Sequence, residues 1–185
     1  MKTALPTNDA ELQAAFKAIS ESKHLSAPIV EITKLVSNSR LTQKTIQEVL
    51  DTYKLNNIIA LKENLLDTLI AYIHFILDDH IISENERYNF EILKRYFKIK
   101  EGDFFRYRKK EIGEILHRQF KLIYLDIQVT TEEAIHSVFL QELFDLSYDQ
   151  LEYFKDKEIS QAIERGADIF DLDTVLPIDT KNEEE

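Results

Sequence analysis

The sequence predicts an all-α chain, a single compact bundle of about seven to eight helices. Three observations carry that expectation. Glycine and proline number only three each in 185 residues, too few for the tight turns that β-hairpins need. Apolar residues recur every three or four positions over most of the length, the period of a helix that buries one face. Finally, the stretch 75–86 returns 47 residues later as 122–133. Each copy reads as an apolar helix, a short acidic turn, and a second helix opened by Ser or Thr with Glu three positions on.

Taken in order, Thr7 or Asn8 can cap a first helix with Asp9 and Glu11 in its first turn and Leu12, Phe16 and Ile19 on one stripe. Ser26 and Pro28 open a second helix with Ile29, Ile32, Leu35 and Val36 inward, and Ser37-Asn38-Ser39 ends it. Thr42 caps a third, carrying Ile46, Val49, Leu50 and Tyr53, with Leu41 placed for a hydrophobic staple. The longest apolar segment, about Asn57 to Leu77, has so wide an apolar face that it predicts a central helix touching several neighbours. A helix from about Glu84 to Phe97 follows, broken by Lys98 to Gly102. Next comes one from about Asp103 to Leu125, kinked or split near Gly113, where glycine is a poor helix former. Thr131 to Phe144 presents Ile135, Val138 and Leu143 or Phe144 inward. Ser147 and Gln150 form a further capping signature before a helix through Leu151, Phe154, Ile159 and Ile163, which Gly166 stops. The expected organisation is 1–56 as N-terminal helices, 57–166 as the repeat domain and 167–185 as an acidic tail, at least partly disordered. In that last stretch, Ile169, Phe170, Leu172, Val175 and Leu176 can still dock on the body.

An apolar content of 44% suffices for a real core. The absence of cysteine excludes disulfides, thiolate-bound zinc and a thiol nucleophile. No run approaches the ~18 apolar residues of a membrane span, and the first residues turn polar before a signal-peptide core can form. The expectation is a soluble cytoplasmic protein. A net charge of −11 argues against general nucleic-acid binding. The charge is uneven, however. Lys94 to Lys121 holds ten basic residues against four acidic, leaving +6 there and −17 elsewhere. Arg106, Arg108, Lys109 and Lys110 are therefore candidate residues for binding a protein partner.

The repeat places Asp79 and Glu86 at positions equivalent to Asp126 and Glu133. If the two turns approach each other, these four carboxylates, with Asp78, Glu84 and Glu132 nearby, are a candidate site for a hard cation such as calcium or magnesium. The competing reading is that Glu86 and Glu133 close capping boxes. Neither turn is an EF-hand, because the D-x-D-x-D-G spacing is missing.

The pattern D-x-x-[IV]-[ST]-x-x-E, met by Asp79, Ile82, Ser83 and Glu86 and again by Asp126, Val129, Thr130 and Glu133, resembles the TerB-like superfamily over roughly Asn57 to Gly166. That superfamily is named for a tellurite-resistance protein and includes the N-terminal domain of a DnaJ-type co-chaperone. The resemblance implies an all-helical, non-enzymatic module whose acidic groups are suspected of binding divalent cations. The family commonly has glycine after the aspartate, where this sequence has His80 and Ile127.

Nothing in the chain matches H-E-x-x-H, G-x-S-x-G, a P-loop or a dinucleotide fingerprint. His74, Asp78 and His80 fall close together but are too few for zinc, and His117 and His136 read as half-buried helix residues. The leading functional expectation is a non-catalytic TerB-like interaction module, bacterial and cytoplasmic in style, serving stress response or an accessory role through partner contacts or cation sensing. The alternatives are an acidic immunity-type inhibitor of a basic toxin or nuclease and, more weakly, a metal-dependent hydrolase.

Overall fold

A computed structural model describes residues 9–22, 24–77, 82–125 and 128–172. Among them the chain is all-α: eight α-helices, two short 3-10 turns and no strand. None of these helices is long and apolar enough to cross a membrane. The helices are α1 (Ala10–Ser20), α2 (Ala27–Ser37), α3 (Gln43–Thr52), α4 (Lys62–Ile76), α5 (Glu84–Phe97), α6 (Asp103–Ile123), α7 (Thr131–Leu143) and α8 (Tyr148–Glu164). By contacts the chain divides into two compact units between Glu111 and Ile112, inside α6.

Side chains set most helix starts. Thr7 and Asn8 lie outside the described residues, and Asp9 takes the cap, its Oδ1 accepting from Leu12 N at 2.9 Å. Thr42 and Thr45 close a reciprocal box on α3, with Leu41 and Ile46 buried as the staple pair. Asn57 caps the 3-10 turn Ile58–Leu61 that leads into α4.

Within residues 9–111, α1 packs on α2 and α4, α2 on α3, and α4 on α5. The eight buried residues of α4 fit the central role expected of it. A chain of rings links four helices, with centroids 5.2 Å apart for Phe16–Tyr72, 6.4 Å for Tyr72–Phe90 and 6.1 Å for Phe90–Phe104. Asn89 Nδ2 donates to Asp9 Oδ2 at 2.6 Å, tying α5 to the start of α1. Burial, then the charges of Asp9 and Glu86, push the Tyr72 hydroxyl pKa well up, so it stays protonated.

Two ion pairs hold the start of α6 against α4. Asp103 Oδ2 accepts from Lys62 Nζ at 2.6 Å and from Lys100 N at 2.8 Å. Arg108 donates to Asp67 Oδ1 at 2.5 Å and Oδ2 at 3.0 Å, and to the Glu63 carboxylate and carbonyl. The hydrogen bond to Asp67 leads in holding this guanidinium pKa above its usual value. Arg108 is also where α6 departs from helical geometry, with φ −139° and ψ 32°. The expected break at Gly113 is thus displaced by five residues, to the position whose side chain is drawn onto α4.

Gly113 serves a different purpose within residues 112–172. A Cβ there would stand 3.0 Å from the Phe154 ring, so the missing side chain lets α8 approach α6 closely. On α8 the buried stripe is Leu151, Lys155, Glu158 and Ala162, whereas Phe154 and Ile159 are half-buried and Ile163 is exposed. On α7 the inward positions are Ala134, Ser137, Leu140 and Leu143, with Ile135 and Val138 half-buried. Tyr53 ends α3 in solvent, and Val49 and Leu35 are half-buried. On α7 and α8 the departures are a slip of the inward stripe by one position. After α8, the 3-10 turn Ile169–Leu172 docks by the Leu172 side chain and by Val129 N donating to Asp171 O at 2.9 Å. Phe170 stays exposed there. Val175 and Leu176 lie outside the described residues.

Five helices end alike. The residues at Ser39, Lys54, Lys98, Asp145 and Gly166 take positive φ, and the following amide bonds back to the carbonyl five residues earlier. Four of these residues carry a side chain into a conformation that favours glycine. Lys98→Gly and Asp145→Gly should each therefore stabilise the fold by about 1 kcal/mol, raising a thermal midpoint by about 2–4 °C. A fall in both midpoints would contradict this account of the helix ends.

Candidate functional site

The two acidic turns are built by the same bonds. Ser83 caps α5: its hydroxyl accepts from Glu86 N at 3.3 Å, while Glu86 Oε2 accepts from Ser83 N at 2.8 Å and from Ser83 Oγ at 2.7 Å. Thr130 does the same for α7, with Glu133 N at 3.2 Å and Glu133 Oε2 accepting from Thr130 N and Oγ1 at 2.8 Å each. Each helix then ends on a positive-φ residue, Lys98 and Asp145, again 47 apart. Burial repeats as well. Leu65 and Ile112, Leu69 and Leu116, Ile73 and Phe120, Leu93 and Leu140, and Phe97 and Phe144 are all fully buried. Ile99 is half-buried where its counterpart Leu146 is buried.

A polar element recurs at the same spacing, and periodicity of apolar residues could not have flagged it. Asn89 on α5, beside Tyr72 on α4, donates through Nδ2 to Asp9 Oδ2 at 2.6 Å. At the equivalent positions His136 Nε2 lies 3.1 Å from Gln119 Oε1, joining α7 to α6. Asn89 and Gln119 are buried. The signal available in the sequence was the offset itself, applied to polar positions.

Of the four candidate cation ligands, Asp79 and Asp126 lie outside the described residues, as do Asp78 and His80. Glu86 and Glu133 each have Oε2 engaged in a cap. Among the described residues no group of three or more His, Asp or Glu side chains is placed to hold a metal.

The basic segment is partly internal. Lys94 is buried, pairs with Glu91 at 2.6 Å and lies over the Phe90 ring. Arg108 belongs to the α4 clamp, which removes it from the partner-binding set. Arg106, Lys109 and Lys110 are exposed, with Arg106 over the Tyr107 ring and Lys109 over that of Phe105. His74 and His24 are exposed, and His117 Nδ1 is 2.8 Å from the buried Glu158 carboxylate. An open cleft of ≈ 580 Å³ runs along α1 and α2, lined by Gln13, Lys17, Ser20, Lys34, Ser37 and Asn38 among others. It holds no nucleophile paired with a base. No protein-family model, curated protein or solved structure matches the chain.

If the turn glutamates act as caps, Glu86→Ala and Glu133→Ala should each cost about 1 kcal/mol in denaturant unfolding, with an unchanged helical spectrum. Two neutral substitutions would remove that role.

Proposed function

We propose that this chain is a non-catalytic helical interaction module of the TerB-like type, working by contact with a protein partner in a bacterial stress-response or accessory setting in the cytoplasm. The observation that carries the reading is the duplicated helix–turn–helix unit, in which the same cap and the same helix termination recur 47 residues apart. In each copy the glutamate three residues into the helix, Glu86 or Glu133, is held by the amide and hydroxyl of its own cap residue.

The reading assigns no role to a divalent cation. Calorimetric titration of the chain with calcium, magnesium or manganese should give no heat beyond that of the Asp79→Asn/Asp126→Asn variant. Affinity capture with the full chain should recover a stoichiometric protein partner. A cation-binding heat lost in that variant would make the turns a metal site and would overturn the reading.

A further inference from the structure

The net charge is confined to one part of the chain. From Ile112 onward there are 18 of the 34 acidic residues and six of the 23 basic ones, which leaves −12 there and +1 for residues 1–111. On α8, the stripe through Leu151, Lys155, Glu158 and Ala162 is buried, and this fixes which face points outward. Asp149, Tyr153, Asp156, Ser160 and Ile163 follow one another at intervals of four and three along the outward face, and all are exposed. Tyr153 is 62% and Ile163 43% accessible. Glu164 and one basic residue, Lys157, share this outward face. Arg165, at the end of the helix, donates to Tyr124 O at 2.6 Å.

An aromatic ring and an aliphatic side chain among carboxylates select their occupant. Nucleic acid or an anionic membrane is repelled by such a face. A purely apolar segment would desolvate the carboxylates without compensating them. We infer that the outward face of α8 is a docking surface for a lysine- or arginine-rich amphipathic helix of another protein. Its apolar residues cover Tyr153 and Ile163, and its cations meet Asp149 and Asp156 and the face of the tyrosine ring. This rests on the interaction-module reading and names the partner's chemistry.

The test titrates a synthetic amphipathic peptide of lysine and leucine, with a glutamate–leucine peptide as control, into the isotope-labelled full chain. Chemical-shift changes should concentrate on Asp149, Tyr153, Asp156 and Ile163, and the affinity should fall about tenfold from low to physiological salt. Tyr153→Ala should weaken binding about fivefold or more, and Asp149→Asn/Asp156→Asn should flatten the salt dependence. These surface substitutions should leave the thermal midpoint in place, and Asp51→Asn in α3 should leave binding intact. If Tyr153→Ala itself unfolds early, Asp149→Lys/Asp156→Lys, which should abolish binding, takes its place. A footprint outside α8, or unchanged affinity in the variants, overturns the surface. If the surface fails while affinity capture still recovers a partner, the module reading stands.

Discussion

Helix ends are the constraint on which this structure depends. An α-helix leaves four amides and four carbonyls without internal partners at its termini, and those groups must be satisfied wherever the chain turns. With three glycines in 185 residues, the usual flexible stop is scarce. The chain therefore closes its helices with side chains at the start and with strained non-glycine residues at the end. Reciprocal boxes open α3, α5, α7 and α8. Left-handed Ser39, Lys54, Lys98 and Asp145 close α2, α3, α5 and α7. The buried aromatic chain from Phe16 to Phe104 and the α4–α6 ion pairs rest on helices whose limits these ends define.

Capping also decides what the acidic turns can do. A glutamate whose Oε2 receives both an amide and a hydroxyl is engaged with its own backbone, and a cation would have to displace those bonds. Glu86 and Glu133, conspicuous in the sequence, thus each have a structural role at the helix start. The surface carries three exposed cations on the first part of α6 and, from Ile112 on, a concentration of negative charge.

Much of this was legible in the residues. The helices were readable because caps and apolar period agree, as at Ser83, where α5 begins one residue on and ends at Phe97, the limits expected. The offset of 47 is visible in apolar positions, and the coordinates extend it to Asn89 and His136. Other features were hidden for physical reasons. Lys155 and Glu158 read as solvent-facing, yet Lys155 is buried against Glu152 and Glu158 against His117. Ala134 and Ser137 turn inward, with Ile135 and Val138 half-buried beside them, a slip of one position that apolarity alone does not register. The kink at Arg108 arises where side-chain bonds 41 and 45 residues away outweigh local propensity, and Gly113, the local weak point, stays helical. The site was less legible than the fold, since a turn carboxylate has the same letter whether it caps a helix or faces a ligand.

The central claim is that two corners of this chain are one local structure written twice. Amide hydrogen exchange under native conditions tests it directly. The account predicts matched protection for the cap amides of Ser83 and Thr130 and for the closing amides of Ile99 and Leu146. Within each pair, protection should be lost only when the glutamate or left-handed residue of that copy is altered. Strong protection in one member of a pair and free exchange in its counterpart would contradict it.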